Sequence, residues 1–78
     1  MVRGLILIKT TARAVSLRFP NVVKEARKIP GVTDAFSVFG RFDVAVFIEA
    51  EDYDKLREIA SKVNAIPGVK STETLSEA

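Results

Sequence analysis

The chain has 78 residues, no cysteine, no histidine and a formal net charge of +2. That length accommodates one small domain, 1–78, and the missing residue types exclude disulfide staples, Cys-ligated metal centres, thiol catalysis and imidazole general-base catalysis. Hydrophobic residues at 47% and charged residues at 28% are globular proportions, so a disordered or fibrous chain is excluded as well.

A core of this size supplies only about 3–5 kcal/mol by itself, which makes association of copies the expected remaining source of stability. Four apolar residues, Leu5 to Ile8, follow the amino terminus before Lys9 interrupts. A secretory signal needs about 7–15 and a membrane span about 20, so a cytoplasmic protein without membrane contact is expected. The charge is uneven: residues 1–41 carry a net +6 and residues 42–78 a net −4. Opposed solvated faces account for such a split, and so do complementary surfaces between identical subunits. A total near zero is poor support for phosphate binding, and direct nucleic-acid contact is not expected.

In chain order, Leu5-Ile6-Leu7-Ile8 reads as a strand apolar on both faces. Thr10 to Arg18 is a loop, with or without one helical turn, and Pro20 suits a first helical position. Val22, Val23, Ala26 and Ile29 then repeat at helical spacing, with Lys24, Glu25, Arg27 and Lys28 on the wet side, until Pro30-Gly31 stops the helix. Val32 to Phe39 is the second strand, with Phe36 and Val38 on one face and Phe39 on the other, and Gly40-Arg41 is a candidate tight turn. Phe42 to Ala50 alternates most clearly: Phe42, Val44, Val46 and Ile48 point one way, Asp43, Ala45, Phe47 and Glu49 the other. Glu51-Asp52 opens a second helix whose buried stripe is Tyr53, Leu56, Ile59, Ala60 and Val63, and Pro67-Gly68 ends it. Val69 to Leu75 is a more polar last strand, suited to a sheet edge.

The order β-α-β-β-α-β contains an internal echo, Ile29-Pro30-Gly31-Val32 and Ile66-Pro67-Gly68-Val69, each where a helix hands over to a strand. Two βαβ units with right-handed crossovers give an α+β, ferredoxin-like split βαβ fold: one four-stranded antiparallel sheet with both helices on one face. The other face lacks a cover, yet the first and third strands put apolar residues on it. A patch of that kind marks an interface, and two sheets packed face to face in a symmetric dimer are expected.

Chemistry-bearing motifs are sparse. There is no phosphate-binding glycine loop, the serines have no histidine to activate them, and capping explains the carboxylates at Glu49, Glu51, Asp52 and Asp54 better than a metal does. A non-enzymatic protein with no cofactor and no metal is expected. Gly40 to Phe47 matches the RNA-recognition pattern only loosely, and Asp43 at a stacking position would repel phosphate.

Gly40-Arg41-Phe42-Asp43-Val44-Ala45-Val46-Phe47-Ile48 and the closing Ile66-Pro67-Gly68-Val69-Lys70-Ser71-Thr72-Glu73-Thr74 together resemble the effector-binding, or RAM, domain of Lrp/AsnC transcription regulators. Gly40 and Asp43 fit that family's G-x-x-D turn, and Thr72 and Thr74 fit its T-x-T strand. The regulators carry a helix-turn-helix domain ahead of this one, whereas here the chain begins at the first strand, so the resemblance is to stand-alone RAM proteins. It implies an amino-acid-binding sensor module that forms homodimers and higher oligomers and modulates transcription through full-length Lrp/AsnC relatives. It further implies an effector held between dimers near the turn between the second and third strands, with ligand contacts at Gly40, Arg41, Phe42, Asp43, Thr72 and Thr74. Backbone N–H groups near Gly40 would receive the effector carboxylate, Asp43 its ammonium, and the two threonine hydroxyls the remaining polar contacts. Two alternatives remain at this level: an ACT-type amino-acid-binding module, whose sheets pair side by side, and a small dimeric ferredoxin-like enzyme.

Overall fold

The computed structural model describes residues 1–11 and 22–77. The expected loop over Thr10 to Arg18, beyond Thr11, and the helix-starting Pro20 lie outside the described residues. Within them the order is β1 (Val2–Thr10), α1 (Val22–Arg27), β2 (Val32–Ser37), β3 (Val44–Ala50), α2 (Tyr53–Asn64) and β4 (Val69–Ser76). The strands form one antiparallel sheet in the order β2-β3-β1-β4, the ferredoxin-like arrangement expected, with β4 at an edge.

Alternation along the central strands divides the residues between two faces. Ile6 and Ile8 of β1 stand opposite Val46 and Val44 of β3, and all four are buried with Ile48 on the helix side. Val22 and Ala26 of α1 and Leu56, Ile59 and Val63 of α2 close over them. No polar or charged residue is buried among the described residues, so the core is held by apolar packing alone. α2 starts where the acidic pair predicts: Asp52 is its N-cap and accepts a hydrogen bond from the Lys55 N–H at 2.8 Å. α1 is tied to the sheet by Arg27, whose Nε and Nη2 both donate to the Ala35 carbonyl, at 3.0 and 2.7 Å.

The sequence echo is an echo of geometry. At the first corner the Ile29 N–H donates to Ala26 and the Val32 N–H to Ile29; at the second, Ile66 donates to Val63 and Val69 to Ile66, all at 3.1 Å. Gly31 and Gly68 take φ of 100° and 99°. Each glycine carbonyl then accepts from the neighbouring strand's side of the sheet, Gly31 from Glu49 N–H at 2.8 Å and Gly68 from Thr11 N–H at 2.9 Å.

Three details differ from the sequence reading. β2 stops at Ser37, and Phe39 is fully exposed, because Val38 turns away to donate from its N–H to the Asp43 carbonyl at 2.9 Å. The β2–β3 connection is therefore a six-residue loop, Val38 to Asp43, and not a tight turn at Gly40-Arg41. Tyr53 is 50% exposed and outside the buried stripe: it sits at the start of α2 with its hydroxyl donating to the Glu77 carbonyl at 2.8 Å. A phenol needs such a partner, and the sheet edge supplies one.

A Cβ on Gly31 would lie 2.3 Å from Ile59 Cδ1, in a backbone conformation that L-residues disfavour. Gly31→Ala should lower stability by more than the roughly 1–2 kcal/mol of the left-handed backbone alone, read as a drop in the urea midpoint. Gly40→Ala has the same sign of φ but open space around the new methyl, so it should cost less. Equal losses would mean that the Ile59 contact relaxes freely.

Candidate functional site

Beyond the last rung of the β1–β3 ladder, Ile8 opposite Val44, a side chain continues the pairing. The Asp43 N–H donates to the Ile8 carbonyl at 2.8 Å, and Asp43 Oδ2 accepts from the Thr10 N–H at 2.9 Å and from the Thr10 hydroxyl at 3.0 Å. The carboxylate thus acts as the carbonyl that a longer β3 would have presented. Lys9 Nζ stands 3.9 Å from the same oxygen. The Thr10 N–H is the largest cause of a lowered Asp43 pKa, followed by the Thr10 hydroxyl; partial desolvation opposes them and Lys9 adds a smaller push down. Oδ1 makes no hydrogen bond among the described residues.

The loop ending at Asp43 gathers four of the expected ligand-binding residues. Gly40 has φ of 123° with nothing among the described residues within 4 Å of its missing side chain, so on their side its backbone is open to approach. Arg41 is exposed and Phe42 half-buried. Thr72 and Thr74 lie elsewhere. They stand opposite Ile8 and Ile6 on the far side of β1 from β3. Two inter-strand spacings, about 10 Å, therefore separate them from the Asp43 end of β3. They face the helix layer and, with Ser76, form one wall of a groove of about 700 Å³. α2 forms the other wall, with Tyr53, Leu56, Arg57, Ala60, Ser61 and Asn64.

Thr10 is the partner of Asp43 that the sequence did not reveal. It lies 33 residues from Asp43, and its only local signal is a polar residue ending an apolar run. No group of metal-ligating side chains occurs among the described residues, and none of their helices is long and apolar enough to cross a membrane.

The lowered Asp43 pKa gives its contribution a definite sign. A carboxyl depressed in the folded state stabilises fully above its unfolded value, near 3.8, and loses that contribution as pH falls through the lower folded value. Asp43→Asn should therefore be less stable than the parent at neutral pH, with the gap closing only below pH about 4. A gap independent of pH in denaturation series would show that the Thr10 contacts do not depend on the charge.

The chain is 28% identical to the crystal structure of FFRP-DM1 with a TM-score of 0.83, each chain covered over 100% of its length. It matches Escherichia coli AsnC at 22% identity and a TM-score of 0.80, covering 97% of this chain and 50% of that one. The fold is shared too by a feast or famine regulatory protein of Mycobacterium tuberculosis solved with L-methionine, at 13% identity and a TM-score of 0.77 over 99% of this chain and 49% of that one. Among curated proteins, homocitrate synthase of Sulfurisphaera tokodaii is 36% identical over 53 residues, 68% of this chain. The chain spans only 12% of the length of that enzyme. The sequence profile described as the Lrp/AsnC ligand binding domain matches residues 5–76, from the first strand to the last, and the chain belongs to that family.

Proposed function

We propose that the protein is a non-enzymatic regulatory module that binds a free amino acid at the Val38–Asp43 loop and acts as an oligomer. The observation that carries the reading is the pairing of an approachable backbone at Gly40 with a carboxylate three residues on that is held ionised. An amino acid offers the complementary pair of charges. Its carboxylate would meet N–H groups around Gly40 and Arg41, and its ammonium Oδ1 of Asp43, which has no partner among the described residues, while Oδ2 keeps Thr10 in place. Phe42 and the exposed Phe39 would flank the effector's side chain. Thr72 and Thr74 are two strands removed, so within one copy the loop carries this site without them.

The L-methionine bound to the Mycobacterium tuberculosis regulator, and to a transcriptional regulator of Neisseria meningitidis, supports an amino acid as the effector class. The small share of homocitrate synthase that this chain matches supports a module used beside catalytic machinery and not as that machinery. Family membership favours this reading over an ACT-type module.

The oligomer rests on the uncovered sheet face. Leu5 and Leu7 of β1, Phe36 of β2, Phe47 of β3 and Leu75 of β4 share it, and Phe36 and Phe47 lie with ring centroids 5.9 Å apart. Phe36 and Phe47 are each 40% exposed and Leu75 50%. Such a row suits a second copy packed face to face. Further assembly, association with full-length Lrp/AsnC relatives and the absence of direct nucleic-acid binding belong to the same proposal.

Sedimentation should give at least twice the 8.6 kDa chain mass, and Phe47→Glu should reduce it to one chain by burying an unpaired charge. A Phe47→Glu variant of unchanged mass would move the interface off this face. In a thermal-shift screen of the twenty amino acids, a true effector at 100 times its dissociation constant adds about 2.7 kcal/mol. Asp43→Ala should then weaken that effector by about tenfold or more. Normal affinity with reduced stability would leave Asp43 with its Thr10 role alone.

A further inference from the structure

The groove beside β4 has a chemistry of its own. A strand beneath a helix ordinarily turns apolar residues towards it, yet β4 turns Thr72, Thr74 and Ser76. The facing side of α2 adds Ser61 and Asn64, one turn and two turns on from Arg57. None of these hydroxyls, nor the Asn64 amide, has a side-chain hydrogen bond among the described residues. Leu56 and Ala60 supply an apolar floor, and the volume of about 700 Å³ falls within the range of small-molecule sites.

Among the described residues, Arg57 is the one charged residue lining the groove. Its Nη2 donates to Asp54 Oδ1, but both side chains are 80% exposed, so the pair is solvated and easily exchanged. The guanidinium keeps donors in a fork that matches a carboxylate. Among the described residues none that lines the groove is a carboxylate able to receive an ammonium, which sets it apart from the Asp43 loop.

We propose that the α2–β4 groove is a second binding site, selective for small organic carboxylates without an α-ammonium group, the 2-oxo and 2-hydroxy acids with short apolar side chains. The carboxylate takes Arg57 from Asp54, the oxo or hydroxy oxygen meets the Thr72 and Thr74 hydroxyls or Asn64, and the side chain rests on Leu56 and Ala60. The site lies within one copy and stands independently of the effector reading.

Amide chemical shifts of the whole chain, titrated with 4-methyl-2-oxopentanoate and in parallel with L-leucine, test it. The oxo acid should move the amides of Ala60, Ser61 and Thr72 to Thr74, and more tightly than L-leucine does. Arg57→Gln should weaken it by about tenfold. Asp54→Asn, which removes the competing carboxylate, should tighten it, and Asp43→Asn should leave it unchanged. The proposal is overturned if the oxo acid moves no groove amide at about 10 mM, ample for a millimolar site. It is overturned as well if L-leucine binds the groove as tightly, or if Asp54→Asn weakens binding. The substitutions at exposed Arg57 and Asp54 leave the core untouched, so a preserved spectrum confirms that each variant is folded.

Discussion

The register of β1 against β3 governs the rest of the molecule. Setting Ile6 opposite Val46 and Ile8 opposite Val44 buries four side chains beneath the helices in one stroke. The same register puts Leu5 opposite Phe47 and Leu7 opposite Ala45 on the uncovered face, and leaves Thr10 next to the chain entering β3, where Asp43 holds it. A slip of one residue would exchange the two faces, moving isoleucines into solvent and leucines under the helices. Core, open face and Asp43 contact are therefore three readings of one alignment.

Much of this was legible in the residues. The repeated Ile-Pro-Gly-Val segments marked both helix-to-strand corners, and the clean alternation from Phe42 to Glu49 assigned the faces of β3 correctly. Edge placement of β4 followed from its polarity. What failed to show is non-local or set by a boundary. Thr10 reaches Asp43 only because β1 and β3 pair, a fact absent from either segment alone. β2 reads as continuing to Phe39 because its imperfect alternation meets no Gly or Pro before Gly40, whereas the turn back to Asp43 begins at Val38. Helical spacing put Tyr53 in the buried stripe, but spacing cannot tell whether a helix's first residue still lies above the sheet. The candidate ligand residues share a resemblance to one family, yet the sheet order distributes them over two places, since β1 intervenes between β3 and β4.

The same sheet order explains why the two proposed sites differ in kind. At the loop, hydrogen bonds to β1 fix Asp43 through its N–H and Oδ2, and so set the direction of Oδ1 before any ligand arrives. In the groove, the hydroxyls of Thr72, Thr74, Ser76 and Ser61 and the Asn64 amide have no side-chain hydrogen bond among the described residues, because an edge strand lies beyond full cover by the helix. Rigid presentation suits recognition of a small zwitterion, and a guanidinium flanked by uncommitted hydroxyls suits a carboxylate that brings no ammonium.

The pairing of β1 with β4 carries a kinetic consequence. Gly4 stands opposite Ser76, and Arg3 closes the arrangement by donating from its N–H and guanidinium to the Glu77 carboxylate. These partners are more than seventy residues apart, so the loop-closure entropy of joining them comes due before their contacts return it. β1 can meet β3 as soon as residue 50 is available, but until residues 69–76 arrive its other edge, running along Leu5 to Ile8, presents unpaired backbone groups. During synthesis that edge is a template for pairing with a second chain, and the interval before β4 docks is when the protein is most exposed to aggregation.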